Sequence, residues 1–231
     1  MCRPGKGGKS QNRGQLAHRH YGHLLCGAGG ELGEILLYLF LENKLNAPKL
    51  LSKVELKTTG NQYIFGSDGV HLFQLDNKNF QLILGESKIK GDLKSAVKEA
   101  FESIEKVSNN PDNELRLIEK NILSESFDEE TTEFIKSLIV PLKRDKTIGV
   151  DNAFGIFLGY TLDIYAKQYS NSEFRDAVNE KLKTDLDNIA SYIEKKINKS
   201  GLTGYSFYFY ILPFNNAQED RATIINKLKG E

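Results

Sequence analysis

Gly66-Ser67-Asp68-Gly69-Val70-His71 is followed, after Asp76-Asn77-Lys78-Asn79, by Leu84-Gly85-Glu86-Ser87-Lys88. The reading of this stretch decides the fold. Asp68 to Leu75 has the composition of a strand. The Asp/Asn-rich tetrapeptide is a turn signal, and Phe80 to Lys90 is the next strand. Residues two apart in a strand share a face. Leu82 and Leu84 therefore lie on the face of Glu86 and Lys88, with Ile83 and Ile89 on the other. Apolar residues on both faces describe a buried central strand. Charges at the end of such a strand cost free energy unless they are paired or bind a metal. A Glu/Lys ion pair is one way to satisfy them. The other is chemical: two carboxylates hold Mg²⁺ with waters and a phosphate oxygen, while a lysine stabilises charge on the phosphate.

Parity opposes the chemical reading. A plain hairpin turning at Asn77-Lys78 sets Asp68 opposite Ser87, so Asp68 faces away from Glu86. An odd-length loop, or a bulge between Gly66 and Val70, brings Asp68 level with Glu86 or Lys88.

Outward from this centre, Glu31–Asn43 reads as a helix with Leu32, Ile35, Leu36, Leu39 and Phe40 at helical spacing. Glu31 and Glu34 lie on one helix face at its start. Either acid could serve the site or simply favour the positive end of the helix dipole. Residues 54–65 suggest one or two short strands. Gly91-Asp92 caps a helix to about Val107, with Leu93, Ala96, Val97, Ala100, Phe101 and Ile104 on one face. Helices are expected at Glu114–Leu123 and Glu129–Leu138, and a strand at Ala153–Leu162. A long helix follows at Phe174–Asn198, then a buried aromatic strand at Gly204–Phe214 and a helix at Ala217–Lys229. This order predicts an α/β fold, a mixed sheet flanked by helices. The apolar run Leu138, Ile139, Val140 and Leu142, beside Lys143-Arg144, is a candidate partner contact.

The chain has 231 residues, 39% hydrophobic and 27% charged, enough for one domain with a large core. No apolar run reaches the length of a membrane span and no signal peptide is visible, so a cytoplasmic protein is expected. Cys2 and Cys26 make no disulfide framework. Formal net charge is zero. The first 23 residues hold five basic residues and no acid, which leaves 26 basic against 31 acidic residues in the rest. A nucleic-acid binder with so acidic a body depends on local basic patches, a metal or a partner. Residues 1–27 read as a tail, disordered or not native to the domain, and 28–231 as the domain itself, with a helical insert at about 108–145. His18, His20 and His23 fall in the tail without a supporting ligand framework. His71 suits either a phosphate contact or a hydrogen-bonded core position.

Gly30-Glu31-Leu32-Gly33-Glu34-Ile35-Leu36-Leu37, Gly66 to Leu72, and Leu84 to Lys88, in this order and spacing, resemble the HamA family of Hachiman anti-phage defence systems. The resemblance implies a restriction-endonuclease-like, PD-(D/E)XK-type core and metal-dependent DNA cleavage with Mg²⁺ or Mn²⁺. It also implies a partner helicase that restrains the nuclease. By that resemblance Asp68, Glu86 and Lys88 are catalytic, and Asp68, Glu86, Ser87 and Glu34 surround the metal. The alternative is a non-catalytic subunit that binds DNA or a partner on the same scaffold.

Overall fold

The computed structural model describes residues 31–52, 67–108, 129–139 and 148–230. Five strands form one mixed sheet in sequence order, β1 (Lys49–Ser52), β2 (Gly69–Gln74), β3 (Asn79–Ile89), β4 (Gly149–Thr161) and β5 (Ser206–Phe214). The first three run antiparallel; β4 and β5 are parallel to β3 and to each other. One face carries α1 (Glu31–Lys44) and α5 (Ala217–Lys229). The other carries α2 (Leu93–Ser108), α3 (Glu129–Ile139) and α4 (Asn171–Lys199). The expected mixed sheet between helices is present.

Side-chain chemistry sets most boundaries. Asp76 Oδ1 accepts the N–H groups of Lys78 (2.8 Å) and Asn79 (2.9 Å), and its Oδ2 accepts the Asn79 amide at 2.8 Å. These bonds close the β2–β3 turn and hold the Asp76 carboxyl below its ordinary range. Asp92 Oδ1 takes the Ser95 N–H at the start of α2. Ser170 and Glu173 form a reciprocal capping box on α4. All six residues foreseen on the buried face of α2 are buried, and Val107 joins them. β3 is the central strand, buried from Phe80 to Ser87.

Several expectations need correction. Only part of the foreseen stripe of α1 is buried: Leu32 and Ile35 are, but Leu39 is 40% exposed and Leu36 and Phe40 are half-buried, whereas Gly33, Glu34, Leu37, Tyr38 and Leu41 are also buried. Residues 35–41 are apolar all round, so periodicity alone cannot select the face that meets the sheet. Strand β1 begins immediately after Pro48, where no strand was expected. Strand β5 is an edge strand, half-buried rather than enclosed. Its outer residues are tied back by Gln81 of β3. Tyr208 donates to Gln81 Oε1 (2.5 Å), and Gln81 Nε2 donates to Ser206 Oγ (3.0 Å), across the small residues Ala153 and Gly155 of β4. Leu138 is 1% exposed and belongs to the core, so it is no partner contact. Residues 54–65, Glu114–Leu123 and 140–144 lie outside the described residues, as do residues 1–27.

Glycine governs how closely α1 approaches the sheet. Gly69, Gly85 and Gly155 are register neighbours across β2, β3 and β4. A Cβ on Gly85 would stand 2.9 Å from Leu37 Cδ2, and one on Gly155 would stand 3.0 and 3.1 Å from the Leu41 methyls and 2.9 Å from Ile83 Cγ2. Helix side chains fill the trough left by missing methyls, so Gly155→Ala overpacks the interface at a cost of about 1–3 kcal/mol. Gly91, whose Cβ position is open, serves as control. In urea denaturation Gly155→Ala is expected to lower the midpoint clearly, while Gly91→Ala moves stability by no more than about 0.5 kcal/mol.

Candidate functional site

The turn between β2 and β3 has odd length. Gln74 stands opposite Phe80, and Leu75 N–H donates to the Asn79 carbonyl at 2.8 Å, leaving three residues at the tip. The ladder runs on to Gly69 opposite Gly85. At that point Asp68 N–H also donates to the Gly85 carbonyl, at 2.7 Å. Asp68 and Gly69 thus address one partner residue, the arrangement of a β-bulge. Either device alone was expected to set Asp68 level with Glu86; both are present, and the bulge undoes the shift made by the odd turn.

The bulge fixes where the Asp68 carboxylate goes. Its Oδ2 accepts the backbone N–H of Ser87 (2.8 Å) and the Ser87 hydroxyl (2.5 Å). Ser87 points toward α1, because a Cβ on Gly33 would lie 2.9 Å from its Oγ. Glu86 and Lys88 point to the opposite face, beside Ile156 and Leu158 of β4, and form an ion pair with each other. Bonding to the Ser87 amide keeps the Asp68 carboxylate at the level of the β3 backbone. Its partner Ser87 is the residue between Glu86 and Lys88 but points toward α1, so Asp68 does not join the face of Glu86 and Lys88 as parity was expected to allow. Asp68 and Glu86 are 2% and 3% exposed.

Glu34 is also buried, at 7% exposed. It follows Gly33, which rests on Ser87, and it precedes Tyr38 by one helical turn. The Tyr38 hydroxyl donates to the Asp68 carbonyl at 2.5 Å. Residues four apart share a helix face. The helix therefore presents Glu34 on the side that meets Asp68. Among the described residues no preformed group of three His, Cys, Asp or Glu side chains is spaced to enclose a metal. The acids at this end of the sheet, Glu34, Asp68 and Glu86, offer hard carboxylate oxygens. Mg²⁺ uses one or two carboxylates and completes its shell with water and phosphate oxygens, so the donor chemistry fits that ion without a closed cage.

Lys88 opens onto a cleft of about 350 Å³ against the outer face of α2, lined also by Ser95, Lys98, Glu99, Glu102 and Lys106. Lys98 faces Glu102 at 3.8 Å, and Lys90 pairs with Glu99 at 2.6 Å. The α2 wall is therefore mixed in charge rather than basic. A larger cleft, about 430 Å³, lies between α2 and α4, away from these acids. Its Asp185 is taken up by Tyr160, at 2.9 Å, and by Lys181.

The HamA family model matches residues 11–228. The chain belongs to the HamA family. Membership gives it a role in Hachiman anti-phage defence. The matched span begins inside the segment set apart as a tail. No curated protein and no solved structure matches the chain. No helix among the described residues of this HamA-family chain is long and apolar enough to cross a membrane.

His71 occupies a core position. It is fully buried, its Nδ1–H donates to the Ala47 carbonyl (2.8 Å), and its ring lies 5.4 Å from that of Tyr38. Among the described residues its Nε2 has no hydrogen-bond partner. Burial is the main cause that lowers its pKa from 6.5 to about 4; the bond to Ala47 opposes that shift and the Lys49 ammonium adds to it. Sequence reasoning missed Tyr38, which lay unmarked inside an apolar run. Because the folded pKa is depressed, the unfolded chain binds the proton first. His71 therefore favours the fold fully above about pH 6.5, and roughly 3 kcal/mol is lost as pH falls from 6.5 to 4. Denaturation midpoints recorded across this window should decline more steeply for the parent than for His71→Gln. Parallel curves would refute a neutral buried histidine.

Proposed function

We propose that this HamA-family chain is a metal-dependent DNA nuclease on a PD-(D/E)XK-type scaffold, the effector of its defence system, held in check by a helicase partner. The observation that carries the reading is the gathering of two buried carboxylates and a lysine at one end of the central strand: Glu86 and Lys88 on its α2 face, and Asp68 bonded to Ser87, the residue between them, on its α1 side. A structural ion pair alone gives no reason for the second buried carboxylate, the bulge or the acid on α1.

Each residue has a distinct task in this reading. Asp68 and Glu86 bind the cation, Glu34 adds negative charge from the helix side, and Ser87 holds Asp68 through its amide and hydroxyl. When bound, Mg²⁺ or Mn²⁺ neutralises phosphate charge and makes water a stronger acid. Lys88 exchanges its bond to Glu86 for the scissile phosphate, where its ammonium offsets charge that develops as the bond to the leaving oxygen breaks. The cleft beside Lys88 gives the phosphate access from solvent. DNA as substrate and the helicase as restraint rest on the family resemblance.

A second reading draws on the same geometry. The Glu86–Lys88 pair and the Asp68–Ser87 bonds already satisfy part of the acid charge, as they would in a non-catalytic subunit that binds DNA or a partner. Incubation with plasmid DNA separates the two. The nuclease reading expects cleavage with Mg²⁺ or Mn²⁺ and none in EDTA. Glu86→Gln and Lys88→Ala should each lower the rate by about 10²–10³-fold with the fold retained by circular dichroism. Full cleavage in EDTA, or wild-type rates in both variants, would defeat it. DNA binding without cleavage by the released subunit would establish the second reading.

A further inference from the structure

We propose that Tyr38 of α1 is a positioning residue for the Asp68 carboxylate, acting through the Asp68 backbone. This rests on the reading of Asp68 as a cation ligand. Asp68 is held at three of its polar atoms. Its N–H bonds to the Gly85 carbonyl (2.7 Å), its carbonyl accepts the Tyr38 hydroxyl (2.5 Å), and its Oδ2 accepts both Ser87 donors. The first and third anchors come from β3. Tyr38 alone among these anchors comes from another layer of the fold, and it approaches from the helix that carries Glu34.

Tyr38 is itself held rigidly. It is fully buried, its ring packs at 5.4 Å and 46° against His71, and Lys49 Nζ lies 5.4 Å from the ring centroid. His71 is pinned in turn by Ala47. The bulge at Asp68 departs from ladder geometry, so ladder bonds do not determine how far its backbone rotates. A short bond from a side chain that cannot move sets that rotation, and with it the direction of the carboxylate. Outer residues of this kind orient metal ligands, and their removal costs about 10–100-fold in affinity. Tyr38 and Glu34 lie one helical turn apart on the same face of α1, so the helix that positions Asp68 also presents Glu34 on its side.

Mn²⁺ binding to the intact chain without DNA, followed by electron paramagnetic resonance, tests this apart from turnover. Tyr38→Phe removes only the hydroxyl. The matched control is Tyr160→Phe, which removes another buried tyrosine hydroxyl, the donor to Asp185. Tyr38→Phe is expected to weaken Mn²⁺ about tenfold, Tyr160→Phe to leave it unchanged, and excess metal to restore the cleavage rate of Tyr38→Phe. Should Tyr38→Phe fail to fold, 3-fluorotyrosine placed at position 38 retains the hydroxyl. Its fluorine signal must then shift when Mg²⁺ is added, and Asp68→Asn must abolish the shift. Parent-like affinity in Tyr38→Phe while Asp68→Asn binds weakly, or a fluorine signal indifferent to Mg²⁺ while the Asp68→Asn loss persists, overturns the role of Tyr38. Unchanged binding in Asp68→Asn instead removes the reading of Asp68 on which it stands.

Discussion

The close seating of α1 on the sheet is the constraint from which the site follows. Three glycines stand in a row across β2, β3 and β4, and Leu37 and Leu41 descend into the trough they leave. Gly33 makes the same concession from the helix side, over Ser87. With ordinary side chains at these positions the helix would ride farther from the strands. A hydroxyl on a tyrosine ring has fixed reach, so the Tyr38 bond to the Asp68 carbonyl exists only at this spacing. The helix is thus part of the site because the sheet beneath it lacks methyl groups. The opposite layer obeys no such restriction: α2 packs by a conventional apolar face, and its outer face is free to carry charge beside Lys88.

The electrostatics of this end of the sheet are costly by design. Burying a carboxylate is unfavourable unless hydrogen bonds or opposite charge replace water. Asp68 obtains two donors from a single residue, and Glu86 obtains Lys88. A fold seeking only stability would place apolar residues here, since replacing a buried ion pair by well-packed hydrophobes is often neutral or stabilising. β3 is apolar from Leu82 to Leu84 and changes to Gly-Glu-Ser-Lys only where β2 ends in its bulge. The change in composition and the irregularity of the backbone coincide, as the proposed nuclease reading requires.

Much of this was legible in the sequence, for identifiable reasons. Helix α2 shows one apolar face against a charged one, so its buried set could be read directly. The odd turn and the bulge were each recoverable from parity as a way to set Asp68 level with Glu86; that they occur together, and so turn Asp68 to Ser87, was not. Helix α1 was recognised but rotated wrongly, since seven consecutive apolar residues leave no polar side to orient by. Its buried side includes Gly33 and Glu34, which no hydrophobicity rule would select. Tyr38 was hidden for the same reason. Strand β1 was missed because four residues are too few to show alternation, and they gain their place only by pairing with β2. The partial exposure of β5 depends on which strand lies last in the sheet, a property of topology rather than of the strand's own composition.

The bulge also separates what the backbone requires from what chemistry requires. Extending the ladder without interruption would set Asp68 opposite Glu86 and turn its side chain to the α2 face. The extra bond to the Gly85 carbonyl interrupts that ladder, and the carboxylate meets the Ser87 amide and hydroxyl instead. Two charged oxygens on one face, directly opposite, would repel at the closest cross-strand distance. At the level of the strand backbone Asp68 remains one residue from Glu86 while avoiding that juxtaposition. Repulsion of this kind is tolerable only when a cation is present. On the proposed reading, a site that folds before its cation arrives would gain from holding one acid aside on neutral donors and the other on Lys88. Under that proposal, the pairings that resemble a purely structural network are what would let these acids fold in the absence of a cation.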